Sequence, residues 1–220
     1  MVKEKLLIEL HFLPCIEFFC LLSQFEQIEI ESSEHFVKQS YRNRAYINTA
    51  NKVVPLTIPV KKGNRKIPVQ NIEIDYNQRW LKDHWKSITS AYGKAPFYEH
   101  FVDYFREIFY KNHKFLFDFN WDLLSLCLHL LKLKRKITFS ANFCDKVTSA
   151  TYDARGLINP KIHFTKNNFY RPIPYYQVFG AKFDANLSIL DLLFCEGSNA
   201  LNIIQESVNE HTNKRIIKYV

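Results

Sequence analysis

Glycine scarcity constrains this chain more than any other feature. Only 5 of 220 residues are Gly, at 63, 93, 156, 180 and 197, about a third of the usual ~7%. The closest pair, Gly180 and Gly197, stands 17 positions apart. Loops that wrap backbone around phosphates need several glycines within a few residues, so G-x-G-x-x-G, G-x-x-x-x-G-K and G-x-S-x-G are all absent. A standard dinucleotide turn, Walker loop and nucleophile elbow are thereby excluded.

The rest must fold around bulk. The 19 Phe, 12 Tyr and 3 Trp provide enough apolar area for a core and argue against disorder as the main state. Five scattered Cys without a C-x-x-C spacing read as reduced thiols, most of them buried. The apolar run 6–22 is interrupted by Glu9, His11 and Glu17 and broken by Pro14. We therefore expect a cytoplasmic protein with neither a signal peptide nor a membrane span.

The pattern predicts an α/β protein (α+β as the alternative) in a single domain, 1–220. It opens with a βαβ unit: a strand over Leu6–Phe12, a helix over 15–25 and a strand over Gln27–Glu31. Three β-type segments follow, Tyr46–Asn48, Val53–Val60 and Ile67–Ile74, the last two joined as a hairpin through 61–66. This strand-rich part ends near 75, and a helical part covers 76–135. Its first helix starts at an Asp75/Gln78 capping box and stops at Gly93. Its second buries Phe97, Phe101, Tyr104, Phe105 and Ile108, and its third spans Leu116–Leu133, where Lys132, Lys134, Arg135 and Lys136 match the helix dipole. A mixed part over 136–210 contains a strand at Ile137–Phe143, an irregular stretch at 144–173, a strand at 175–179, a Ser188-capped helix to Cys195 and a helix at 199–209. A loose tail follows at 211–220.

The formal net charge of +8 permits an anionic partner. The densest polar cluster, Glu34–Arg44, follows the second strand, where loops of an open α/β sheet form the ligand crevice. If that cluster is extended, Lys38, Ser40, Arg42 and Arg44 share a face, and guanidinium forks suit phosphate or carboxylate. His84, between Trp80 and Trp85, is the candidate proton carrier in a partly dry pocket, with Tyr92 on the same helix face. Metal binding has no support in His or Cys spacing, and the basic runs lack interleaved aromatics, so nucleic acid is disfavoured.

Seven blocks resemble the WbqC-like family of bacterial proteins: HFLPCIEFF (11–19), EHFVKQSYRNRAYI (34–47), LTIPV (56–60), IEIDYNQRWLKDHWKSITSAYGKAPFYEHF (72–101), FLFDFNWDLL (115–124), PYYQVF (174–179) and NLSILDLLFCEG (186–197). Relatives open with Gln-Pro or similar where this chain has His11-Phe12, which argues against a role for His11. The resemblance implies a setting in polysaccharide, lipopolysaccharide or O-antigen-type biosynthesis without fixing a reaction or cofactor. Together these readings point to an enzyme acting on a small anionic metabolite, a sugar phosphate or nucleotide sugar. Lys38, Arg42 and Arg44 would hold the anion, His84 would carry the proton, and Tyr41, Asn43, Tyr92 and Gln177 would orient the substrate. The alternative is a non-catalytic binding or scaffold protein for a glycan-assembly partner.

Overall fold

The computed structural model describes residues 4–63, 65–180 and 182–209. Two short strands, the largely apolar β1 (Lys5–Glu9) and the alternating β2 (Gln27–Glu31), pair in parallel from Lys5↔Gln27 to Glu9↔Glu31. Parallel neighbours need a crossover, and α1 (Ile16–Leu22) provides it with all seven residues buried. The expected βαβ opening therefore forms. Its helix is short because Pro14 sits before it and the chain must turn back by residue 27. Arg135 closes the far end of α1, with Nη2 donating to the Ser23 carbonyl at 2.7 Å and Nε to Leu22 at 3.3 Å.

The second β unit departs from the sequence reading. The antiparallel hairpin is β3 (Arg44–Ile47) with β4 (Val54–Thr57), one segment earlier than expected. Segment 67–74 forms a 3-10 turn at Val69–Asn71 and meets the segment before it only at the Val60↔Ile74 bridge. Proline explains this, because Pro59 and Pro68 remove ladder donors on both sides of the 61–66 turn.

Three helices follow. The first, α2 (Trp80–Tyr92), ends at Gly93 as expected but starts late. Asp75 accepts from the Asn77 amide at 3.1 Å and from the Gln78 side chain at 3.3 Å, so it closes a turn ahead of the helix and does not cap it. In α3 (Tyr98–Tyr110) the buried residues are Tyr98, Phe105 and Phe109, while Tyr104 is 55% exposed. The buried stripe is thus rotated away from the expected Tyr104. The third, α4 (Leu116–Leu130), stops short of residue 133 because Lys132 takes a left-handed φ of 55°, a common helix-ending conformation.

β5 (Lys136–Phe139) adds to β2, and β6 (Thr151–Asp153) adds to the free side of β1. The order is β5-β2-β1-β6, all parallel. β6 lies in the stretch read as irregular; three residues carry no periodicity. The expected strand at 175–179 is irregular backbone. The chain ends in α5 (Ile189–Glu196) and α6 (Ala200–Glu206). Ser188 caps α5 as expected, accepting from the Leu190 amide at 3.4 Å and donating to the Leu13 carbonyl at 3.0 Å. α6 stops before 209, where Val208 bridges to Tyr170. The expected tail lies outside the described residues.

The core runs from Leu6 and Ile8 through Phe12, Phe109 and Phe119 to Phe194, all at or below 1% exposure. Phe194 gathers Tyr92, Tyr98 and Phe105, with ring centroids 5.2–5.6 Å away. Cys15, Cys20, Cys127 and Cys195 are buried free thiols and Cys144 is exposed.

Candidate functional site

In an open parallel sheet, ligands bind beyond the strands' C-terminal ends where strand order reverses. Here the chain steps from β1 to β2 and later to β5, then returns to place β6 on the other side of β1. The reversal lies between β1 and β6. What the sequence folds to that edge is a set of buried charges. Glu9 and Glu31 are register neighbours at the ends of β1 and β2, each 1% exposed. Adjacent buried carboxylates repel and need cations.

Two arginines meet that need. Arg42 grips Glu34 with Nε and Nη2, both at 2.6 Å, and stands 3.6 Å from Glu9. Arg155 reaches Glu31 at 3.0 Å and Asp153 at 2.7 Å, and Ser140 Oγ donates to Glu31 at 2.7 Å. His11 Nε2 lies 3.2 Å from Glu9, whose other oxygen accepts the Gly156 amide at 2.9 Å. Burial opposes the Glu9 charge, but His11, Arg42 and that amide outweigh it and bring the carboxyl down to about 2. Burial dominates at His11 and lowers its pKa, against the opposing pull of Glu9. Burial works against the Arg42 cation as well, but Glu34 and Glu9 raise its pKa above the ordinary value.

These pairs clamp the loop after β2 onto the sheet edge. The loop is not extended: Gln39 has a φ of 54°, and Ser40 Oγ donates to the Val37 carbonyl at 2.6 Å. Arg42, 5% exposed, consequently points inward. This corrects its expected role, because its charge is spent on internal acids. Lys38 and Arg44 remain on the outer side, with Asn43 buried between Arg42 and Arg44. They line a groove of about 360 Å³ together with Phe36, Thr57 and Lys62. Arg44 Nε donates to Thr57 Oγ1 at 3.2 Å. Asn43 Nδ2 donates to the Ile58 carbonyl at 2.8 Å, while its buried Oδ1 has no hydrogen-bond partner among the described residues. No carboxylate is found among the described residues that line this groove. The groove therefore presents cationic donors, Lys38, Arg44 and Lys62, without a carboxylate among its described lining residues.

The other expected site residues lie elsewhere. His84 does not line the groove. It is 8% exposed, 5.3 Å edge-on to Trp80 and stacked at 6.4 Å on Phe12. Trp85 turns away to Phe109 and Tyr110, so a single indole touches the imidazole. Burial brings His84 down to about 4, against opposing pulls from Asp83 and the Thr57 backbone. Its link to the groove is that β4 strand residue, Thr57, which lines the groove directly. Tyr41 packs in the core 5.4 Å from His11, and burial raises its hydroxyl far above the usual range. Tyr92, 1% exposed, faces Asp191, and burial followed by that charge raises its hydroxyl as well. Gln177 is committed to a loop staple: Nε2 donates to Asp191 at 2.9 Å and to the Asp184 carbonyl at 2.9 Å, and Oε1 accepts the Asp184 amide at 2.9 Å. Three of the eight expected residues therefore share the groove, and Tyr41, Arg42, His84, Tyr92 and Gln177 do not.

The sequence reading overlooked Glu9, Glu31, Glu34, Asp153 and Arg155. One signal was present: the apolar strands 5–9 and 27–31 both end in Glu, and a charge closing a buried strand calls for a partner. Among the described residues, no group of three or more His, Cys, Asp or Glu could hold a metal ion.

The fold and groove define an α/β protein whose basic surface loop is clamped to the end of a parallel sheet by buried ion pairs. Residues 10–203 match the WbqC-like protein family, and the chain belongs to it. It is similar to a protein of Mycobacterium tuberculosis (strain ATCC 25618 / H37Rv) described as "Uncharacterized protein Rv1507c", 24% identical over 224 aligned positions that cover 90% of this chain and 96% of that one. No solved structure matches the chain. No helix among the described residues is long and apolar enough to cross a membrane.

Proposed function

We propose that this protein is a cytoplasmic enzyme acting on a phosphorylated, carboxylated or nucleotide-activated metabolite of cell-envelope polysaccharide assembly, and that it holds the anion in the groove at Lys38, Asn43 and Arg44. The observation that carries the reading is a groove lined by Lys38, Arg44 and Lys62 with no carboxylate among its described lining residues. Membership of the WbqC-like family supports the glycan setting. His84 acts through the Thr57 strand as a positioning group in this reading, since its neutral ring stands behind β4.

Thermal stabilisation by sugar phosphates and nucleotide sugars tests it. A ligand at 100 times its Kd stabilises the fold by about 2.7 kcal/mol. We expect stabilisation of the parent by members of this panel and a weakened response in Arg44→Ala. A parent that responds to none of them refutes the reading. A scaffold role has its own support in α3, where Tyr104 and Tyr110 are 55% and 46% exposed; a partner co-purifying without any small-molecule response would favour it.

A further inference from the structure

The groove does not end at Lys62. A second, more open lobe of about 560 Å³ is lined by Val37, Arg65 and Lys66 and shares Phe36, Lys38 and Gly63 with the first. Each lobe thus has three cations: Lys38, Arg44 and Lys62 in one, Lys38, Arg65 and Lys66 in the other. Neither has a carboxylate among its described lining residues. Glu73 offsets charge at the Lys62 end only; like charges gathered in this way repel one another, and an anion spanning them relieves the repulsion.

The shared wall is built for close approach. A Cβ on Gly63 would stand 2.9 Å from Val60 Cγ2, close enough to push that side chain aside, and in ordinary contact with Phe36 at 3.5 Å and the Lys38 side chain at 3.9 Å. On either side the backbone is strained: Gln39 and Lys62, both lining the first lobe, have φ of 54°. Non-glycine residues in this region are strained and concentrate at ligand clamps. Asn43 Oδ1, buried beside the same lobe with no hydrogen-bond partner among the described residues, is an acceptor suited to a ligand hydroxyl or amide.

We propose that the groove recognises a diphosphate, with one phosphoryl group in each lobe, Lys38 between them, and the group it carries directed to Asn43. This rests on the anion-binding reading above and narrows it from any anionic metabolite to a linked pair of phosphates. The same chemistry is found in a nucleotide sugar and in an isoprenoid diphosphate.

Isothermal titration of the full chain with phosphate, pyrophosphate, UMP, UDP-glucose and farnesyl diphosphate tests it. Pyrophosphate should bind at least tenfold tighter than phosphate. UDP-glucose exceeding UMP by the same factor would identify a nucleotide source, and farnesyl diphosphate exceeding UDP-glucose a lipid source. Arg65→Glu combined with Lys66→Glu should erase the diphosphate preference while phosphate still binds at Arg44. The neutral pair Arg65→Gln, Lys66→Gln should do the same if charge reversal impairs folding. A pyrophosphate preference below tenfold, or one that survives both pairs of substitutions, overturns the proposal and leaves anion binding intact. Absence of binding by all five compounds overturns both.

Discussion

The Arg42 guanidinium and the Glu34 carboxylate meet in a two-point fork, Nε and Nη2 each 2.6 Å from a different carboxylate oxygen. Arg42 and Arg44 are two residues apart yet do opposite work: one is spent inside the fold and the other lines the groove. Arg42→Ala should therefore destabilise the protein by about 3–5 kcal/mol, because it leaves Glu34 and Glu9 buried without their cation. Arg44→Ala should cost less than about 1 kcal/mol, as partly exposed sites usually do. Urea unfolding of both variants checks this, and equal losses would contradict the inward–outward division.

Glu17 is 2% exposed, and its carboxylate oxygens accept from Asn167 at 3.1 Å and Asn186 at 3.4 Å. Burial outweighs both amides and raises the carboxyl from 4.5 to about 7. The folded state thus holds a proton that the unfolded chain has released. The associated stability is complete below pH 4.5 and is lost as pH rises through 7, by up to about 3 kcal/mol. Glu17→Gln should narrow the stability difference between pH 5 and pH 8. Urea midpoints measured at both values decide it, and an unchanged difference would count against the assignment.

His84 titrates with the opposite sign. Its pKa lies at about 4, below the ordinary 6.5, so its contribution is complete above pH 6.5 and is lost as pH falls through 4, by up to about 3 kcal/mol. The imidazole signals should show no midpoint between pH 5 and pH 8 by NMR. His84→Phe, which keeps an aromatic ring against Phe12 and Trp80, should unfold less readily at pH 4 relative to pH 7 than the parent does. A midpoint near 6.5 would place His84 in water.

Gly197 ends α5 with φ 54° and ψ −119°, and a Cβ there would press into the Phe97 ring. Gly197→Ala combines backbone strain with a ring clash and should cost about 2–4 kcal/mol. For a chain of this size that lowers Tm by about 5–15 °C. Calorimetry checks it; a Tm within 2 °C of the parent would show that the Phe97 ring yields.

The amino-acid sequence by itself determined the βαβ opening, the three central helices, the Ser188 cap, the buried thiols and the basic loop after β2. Each of these is local: apolar periodicity, a capping hydroxyl or a glycine stop acts within a few residues. Only the tertiary structure decided which loop cations face water, and why. Glu9, Glu31 and Asp153 end strands that are separated in sequence, with Arg155 just past the last of them, and pairing β1 with both β2 and β6 brings them to one edge, where Glu9 and Glu31 are the buried acids. Once those acids are buried, the desolvation cost of leaving them unpaired draws Arg42 and Arg155 inward. Lys38 and Arg44 stay outside on the same clamped loop, and His84 is held in aromatic packing behind β4. No spacing along the chain encodes that sorting, because it follows from which charges the folded sheet removes from water.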